Sequence, residues 1–474
     1  MSDIDQFARD TLRLLGPAPD NWVPQRDGID HNVVVVGGGQ GGSAIAHALR
    51  RAGIGGVSVI DAAADSSGAG VWLTRARMQK LRTLKSLVGP ELGITALGFQ
   101  QWFETRHGRD AFAALDRISR ADWAEYLAWF REFLAIDVRY GTRVVDIAPW
   151  DAAGIPGLRL TVEVDGKRRF ETTRKLILAN GVAGNGAPFV PGYLQAAVQA
   201  GLAAHTADAI DFVALRGKTV AVIGAAASAF DAAAVALEAG AQAVSLFSRR
   251  DHIAARAVAK PRMYSGFFEN YASLSDAQRW QHAVRYRRAG STPPADAVKR
   301  ATAHANFRLH LSSPWQAATL RDGAVDAHVA GRTFAFDFVI AGTGYTTDPA
   351  DRAELASIAP LIARWRDRYE PLPGERDDAL GVSPYLGAGL EYTEKHRGAA
   401  PWLGAIHVFN PAGYASTGVP LGDIPSMRRD IPRIVSRVSQ DLFVADLELH
   451  QARALADVAP DFGSELYDHA VWRG

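Results

Sequence analysis

The sequence predicts an α/β fold made of two strand-turn-helix units, the second inserted into a discontinuous first. Three observations carry this. The β-branched run Val33-Val34-Val35-Val36 breaks at Gly37-Gly38-Gly39-Gln40-Gly41-Gly42 and resumes as apolar residues at helical spacing, Ile45, Ala48, Leu49 and Ala52. The same order recurs at Thr219-Val220-Ala221-Val222-Ile223, followed by Gly224, Ala226, Ser228 and Ala229. Two later apolar runs, Lys175 to Ala179 and Asp337 to Ala341, close on the small-residue turns Asn180-Gly181 and Gly342-Thr343-Gly344. Each follows one unit, as though the chain returns to the first sheet before and after an insertion.

The first unit has the chemistry of a pyrophosphate site. Gly37 permits a tight turn, Gly39 lets the backbone approach a phosphate, and Gly42 lets helix and strand pack closely. Gln40 opens the helix, whose N-terminal N–H groups and dipole favour an anion. The next strand, Val57 to Ile60, ends at Asp61, a carboxylate placed for a ribose 2′-hydroxyl. In the second unit, alanine at 229 is an accepted variant. Alanine at 226 sets a methyl where the backbone should face the phosphates, which predicts a less open turn. Its following strand, Ala243 to Phe247, runs into Ser248-Arg249-Arg250, and guanidinium groups suit a 2′-phosphate. Two Rossmann-like domains that bind two different dinucleotides are therefore expected, with NADPH favoured over NADH at the second turn.

Composition excludes several classes. A formal net charge of +1 over 474 residues gives no electrostatic case for nucleic acid or an anionic membrane. The chain has no cysteine, so disulfides, thiolate metal sites and a redox-active C-x-x-C are all excluded; no metal is expected. Met1-Ser2-Asp3-Ile4-Asp5 is not a basic and apolar leader, and no segment has the roughly 20 apolar residues of a membrane span. These features predict a soluble, cytoplasmic protein, compatible with a homo-oligomer.

Residues 1–30 read as an N-terminal arm with a short helix bearing Phe7, Leu12, Leu14 and Leu15. Residues 31–200 are expected to form the first part of the first dinucleotide domain, 210–335 the NADPH domain, and 336–474 the second part of the first domain with C-terminal helices. The aromatic stretch 100–134, with Trp102, Phe103, Trp123, Tyr126 and Phe130, reads as core. The segment 251–330, with Tyr264, Phe267, Phe268, Trp280 and Trp315, either covers the active site or builds a face of the NADPH domain.

The order of an FAD-type turn, Gly68-x-Gly70-x-Trp72, an Ala-x-Gly turn, an NADPH-type turn and Gly342-Thr343-Gly344-Tyr345 resembles the class B flavin-dependent monooxygenases. That family includes flavin-containing monooxygenases, Baeyer–Villiger monooxygenases and amine N-hydroxylases. The resemblance spans about residues 30 to 440 and implies oxygenation of a small organic substrate with O2 through a C4a-(hydro)peroxyflavin, at nitrogen or sulfur. The alternatives are Baeyer–Villiger oxygenation, an NADPH oxidoreductase or oxidase without oxygen insertion, and a nucleotide-sensing flavoprotein without turnover.

The finer family motifs are only partly met. Gly201 and His205 match the family's F-x-G-x-x-x-H, without its aromatic residues, and make His205 a candidate linker between domains. Met78-Gln79-Lys80-Leu81-Arg82-Thr83-Leu84-Lys85 resembles both L-R-T-N, with Leu84 in place of asparagine, and the N-hydroxylase M-Q-x-x-x-L-K with one additional residue. The second resemblance implies Gln79 on the flavin side and Lys85 on the substrate side. Near the C-terminus, Asn410 and the Ser416 to Gly418 backbone precede a helix with Ile431, Ile434, Val435 and Val438, an entry suited to the flavin's ribitol and pyrimidine edge.

Overall fold

The computed structural model of the protein describes residues 3–152 and 154–474. Met1 and Ser2, the head of the expected N-terminal arm, lie outside the described residues.

The Val33 run forms the strand His31–Val36, central to a seven-stranded sheet. It pairs in parallel with Val57–Ile60 on one side and with the C-terminal half of Lys167–Leu178 on the other. Val138–Arg139 extends the parallel set beyond Val57–Ile60, and Ile406–Val408 adds to it beside Lys167–Leu178. The N-terminal half of Lys167–Leu178 instead continues into an antiparallel ladder with Ile155–Val164 and Thr142–Ala152. Val33, Val34 and Val35 are fully buried, which is why this strand lacks the polar alternation of a half-exposed one. Helix Gln40–Arg51 covers one face through Ile45 and Leu49. Trp102, Phe103, Trp123, Tyr126 and Phe130 join the same core from helices Phe99–His107 and Arg120–Phe133, as their spacing predicts.

A second, wholly parallel sheet has five strands in the order Phe307–His310, Ala243–Phe247, Thr219–Ile223, Phe338–Ala341, Ala203–His205. The buried alanines 229, 232, 233 and 236 let helix Ala227–Glu238 press closely on it. An antiparallel sheet of Trp315–Arg321, Ala324–Val329 and Arg332–Phe336 shares a core with the opposite face through Trp315, Val325 and Phe336.

One expectation is corrected. The run at 337–341 does not return to the first sheet; it pairs with Thr219–Ile223. Asp337 decides this, since its Oδ2 accepts from the Thr219 N–H (2.7 Å) and hydroxyl (2.8 Å), anchoring the strand beside the second unit. The chain instead recrosses after Gly344, where 186–189 and 344–346 run side by side, Phe189 N donating to Gly344 O (2.9 Å) and Thr346 N to Ala187 O (2.9 Å). The N-terminal helix Asp3–Leu14 buries Ile4 and Ala8 with Leu12 half-buried against the core, whereas Phe7, Leu14 and Leu15 are exposed.

The segment 265–289 reaches from the second unit back to the first. Trp280 is buried, packs 5.9 Å from Trp365, and donates through Nε1 to Glu375 O (2.9 Å).

Candidate active site in the cleft between the two units

The first turn is shaped by its glycines. Gly37 has φ +109°, and a Cβ there would lie 2.5 Å from the Ala179 carbonyl oxygen; at Gly42 it would lie 1.7 Å from Gly37 O. Gly39 caps helix Gln40–Arg51 in extended conformation with no side-chain acceptor, so its N-terminal N–H groups are left for a ligand. A Cβ on Gly39 would meet the Gly70 backbone at 3.6 Å, and one on Gly70 would meet Trp72 Cδ1 at 3.3 Å, so Gly39, Gly70 and Trp72 converge. Asp61 closes the site, accepting from Gly38 N (2.7 Å) and Ala63 N (2.8 Å). An open backbone strip, uncapped N–H groups and a ribose-side carboxylate fit the pyrophosphate and ribose of FAD.

Arg131 belongs to this site and was hidden in the aromatic stretch read as core. It is buried, approaches Gly38 O (3.4 Å) and Ser66 O (3.3 Å), and walls a cleft of about 400 Å³ with Asp137 and Tyr140. The signal available in sequence is an arginine on the otherwise apolar buried face of helix Arg120–Phe133.

Gln40 ties the turn to the far end of the chain. Its Nε2 donates to Gly422 O (2.9 Å) while its Oε1 accepts from Trp123 Nε1 (3.1 Å). Gly422 leads into Asp423, the N-cap of helix Ile424–Ala445, whose carboxylate accepts from Ser426 N (3.0 Å). Burial raises the Asp423 carboxyl to about 6. Asn410 donates to Asn180 Oδ1 (3.1 Å) and accepts from Ala412 N (3.2 Å), joining the turn at Asn180-Gly181 to the C-terminal segment from a buried position.

At Ser416 and Gly418 the side-chain positions are taken up by packing within the protein. The buried Ser416 hydroxyl accepts from Trp365 Nε1 (3.1 Å) and Leu386 N (3.1 Å) and donates to Pro384 O (3.3 Å), which satisfies it. Gly418 has φ +76°, and a Cβ there would lie 2.4 Å from the Tyr271 ring. Its glycine serves packing against the inserted segment.

The second turn repeats the first with small residues traded. Gly224 has φ +113°, and a Cβ there would lie 2.2 Å from Gly342 O, as Gly37 faces Ala179. A Cβ on Gly342 would lie 2.7 Å from the Ala229 methyl, so glycine at 342 is what permits alanine at 229. Ala226 occupies the place of Gly39, an extended N-cap with φ −89° and no side-chain cap, so alanine there carries no backbone strain. Ser228 is exposed on the first turn of that helix. Thr343 donates to Phe189 O, and Gly344, at φ +83°, accepts from Phe189 N, so this turn serves the crossing between units.

The arginine pair divides. Arg250 donates to Ala289 O and Arg288 O (2.8 Å each), closing the C-terminal end of helix Asp276–Ala289, and its own N–H donates to the buried Ser248 hydroxyl (3.1 Å). Arg249 is exposed and makes no side-chain hydrogen bond among the described residues. The expected pair of phosphate ligands is therefore reduced to Arg249, with Arg250 and Ser248 in structural roles.

Of the three catalytic candidates, Gln79 is exposed, with its amide free of hydrogen bonds among the described residues. Lys85 turns onto helix Arg109–Ala114, Nζ donating to Phe112 O (2.6 Å) and Ala113 O (3.0 Å) and lying 4.6 Å from the Phe112 ring centroid. Carbonyls at a helix C-terminus hold this ammonium, which corrects its substrate-side expectation. His205 is buried at the end of strand Ala203–His205, edge-on to Tyr345 at 5.3 Å. Its Nδ1 accepts from Ala207 N (3.0 Å), which assigns the proton to Nε2, an atom without a well-formed hydrogen bond. Burial pulls its pKa below the ordinary value against Asp208 and the Gly344 backbone, so the ring is neutral.

Two further arginines face the second unit from the loop carrying Gln79. Arg77 donates to Thr206 O and Asp208 O (2.9 Å to the latter), clasping the residues that follow His205. Arg82 is exposed and lies toward Asp231, Asp296 and Tyr286. Burial lowers its pKa, opposed by the charges of Asp231 and Asp296 and by Tyr286, and its guanidinium makes no hydrogen bond or ion pair among the described residues.

Residues 31–265 match the protein family described as pyridine nucleotide-disulphide oxidoreductase. The chain is 34% identical over 449 residues to an FAD-dependent urate hydroxylase of Xanthomonas campestris pv. campestris, covering 94% of each chain. Among solved structures, an ornithine hydroxylase from Pseudomonas aeruginosa superimposes with TM-score 0.66 at 17% identity over 87% of this chain and 99% of its own. An L-lysine 6-monooxygenase from Pseudomonas syringae does so with TM-score 0.66 at 17% identity over 86% and 99%. Without cysteine, this chain cannot share the dithiol chemistry in the first family's description. Among the described residues no helix is long and apolar enough to cross a membrane. The chain belongs to the class B flavin-dependent monooxygenases: it shares the fold of the amine hydroxylases and is an FAD-dependent enzyme that oxygenates a small organic molecule.

Proposed function

We propose that the oxygen acceptor is a small, acidic, nitrogen-rich heterocycle of the urate type, received at Arg82. The guanidinium of Arg82, which faces the second unit without a hydrogen bond or ion pair among the described residues, carries this reading, together with the relative that hydroxylates urate. Urate is an anion at neutral pH, and a planar guanidinium pairs with planar oxyanions through two parallel N–H donors. A hydroxylated ring takes the place of the N- or S-oxygenation suggested by sequence.

In this reading the first turn, Gly37 to Asp61, holds FAD, and the second, Gly224 to Arg249, holds NADPH. Bound FAD supplies the oxygen-activating chemistry, with electrons from NADPH. The chain's own groups do the rest. Arg82 orients the substrate anion, the Asp423 carboxyl, raised by burial to about 6, exchanges its proton just below neutral pH, and Gln40 keeps Gly422 and Asp423 in register with the first turn. His205 acts as a positioning residue, since Arg77 grips the residues after it from the opposite unit. The NADPH unit takes in about residues 203 to 341, and 344–474 complete the FAD unit. The enzyme works in the cytoplasm.

The test follows NADPH oxidation and urate loss in purified holoenzyme under 18O2. Urate should accelerate NADPH oxidation, and one 18O atom should enter the product. Arg82→Met should raise the urate KM roughly 10- to 100-fold, the worth of a charge-assisted hydrogen bond, while Lys85→Met leaves it unchanged. Urate that neither stimulates NADPH oxidation nor is consumed overturns the substrate; an unchanged KM in Arg82→Met overturns the assignment of Arg82.

A further inference from the structure

We infer that residues 455–474 form an exchange arm that packs on a second copy of this chain. The body ends at Asp446, which is buried and ion-paired with Arg26 and Arg174. Beyond it, helix Leu447–Ala454 has no buried residue, and the arm that follows carries Leu455, Val458, Phe462, Leu466, Val471 and Trp472, all exposed; Val458 and Trp472 are 88% exposed. The hydrogen bonds and ring contacts of 456–474 stay within the arm or reach only Arg453, among them Ser464 Oγ to Asp468 (3.2 Å) and Phe462 against Tyr467 (6.4 Å). Six large apolar side chains regularly exposed on one segment mark a contact surface.

The chemistry selects the partner. The arm from 455 on carries Asp457, Asp461, Glu465 and Asp468 against the single Arg473, which argues against nucleic acid or an anionic membrane. At its root lies a groove of about 520 Å³ lined by Trp22, Ser439, Phe443 and His450, where His450 stacks on Phe443 (4.6 Å) and meets Trp22 (5.5 Å). Phe443, Val444 and Leu447 extend the apolar surface around it. Donor arm and acceptor groove are thus contiguous, which a two-fold interface requires because one patch must meet itself. The exposed parts of Phe462, Tyr467 and Trp472 alone offer on the order of 400 Å². With the aliphatic residues and the acceptor surface, each copy buries about the 800 Å² typical of a stable interface. The arm of each copy lies in its partner's groove.

Because the chain has no cysteine, introduced thiols report the contact without background. The FAD-loaded enzyme should run in light scattering at about twice 50.9 kDa, while a chain ending at Ala454, and the groove variant Phe443→Asp, should run as monomers with full flavin content. Oxidising a mixture of Ser439→Cys and Trp472→Cys should give a covalent dimer well above the yield from either variant alone. A monomeric full chain, a dimer that survives truncation, or a bridge formed only within one chain of the Ser439→Cys/Trp472→Cys double variant each overturns the arm exchange.

Discussion

His47 makes the helix behind the FAD turn acid-sensitive. Its ring is buried in helix Gln40–Arg51, edge-on to Phe130 at 6.2 Å, and neither ring nitrogen has a hydrogen-bond partner. Burial, and then the charges of Arg50 and Arg51, lower its pKa from 6.5 to about 4. The unfolded chain therefore binds this proton more readily than the folded one. The contribution to stability is complete above pH 6.5 and is lost as pH falls through the window down to about 4. At about 1.4 kcal/mol per pH unit, the loss reaches roughly 2 kcal/mol by pH 5. His47→Leu keeps an apolar side chain in the site and removes the titration. In urea unfolding of the FAD-loaded enzyme, followed by tryptophan and flavin fluorescence, the variant should gain about 2 kcal/mol on the parent between pH 7.5 and pH 5. Measuring the difference between the two proteins cancels the other titrating groups, including the buried His407. A gap that is the same at both pH values, or that moves in favour of the parent at pH 5, refutes the reasoning.

Two other perturbations test the second unit. Arg249→Ala should raise the KM for NADPH about tenfold or more and leave that for NADH unchanged, whereas Arg250→Ala should shift both little and destabilise the end of helix Asp276–Ala289; initial rates with the two cofactors, and urea midpoints, separate the outcomes. Gly342→Ala sets a methyl 2.7 Å from that of Ala229 and should cost about 1–3 kcal/mol, of which Ala229→Gly in the same chain should restore a substantial part in a double-mutant cycle.

How far the site is legible depends on how local its chemistry is. Gly37, Gly39, Gly42 and Asp61 lie within one βαβ unit, and the constraints on them act over a few residues, so their places follow from spacing. Lys85, Arg250, Ser416 and Gly418 read equally well as ligand groups until their partners are known. Those partners are the carbonyls of Phe112 and Ala113, the end of a helix nearly 40 residues away, the Trp365 indole and the Tyr271 ring. Arg82 escapes notice for the opposite reason: what distinguishes it is that its guanidinium makes no hydrogen bond or ion pair among the described residues.

By itself, the amino-acid order determines the fold class, the two dinucleotide turns, the FAD-side carboxylate and the exclusion of thiol chemistry. These depend on backbone freedom at glycine, on strand and helix periodicity, and on the absence of a residue type. Tertiary structure alone decides that strand Phe338–Ala341 joins the second sheet, that Arg250 and not Arg249 is bonded among the described residues, that Lys85 faces a helix end, and that Arg82 faces the second unit. A long side chain can satisfy its charge on any acceptor within reach, and which acceptor comes within reach is set only when distant segments pack.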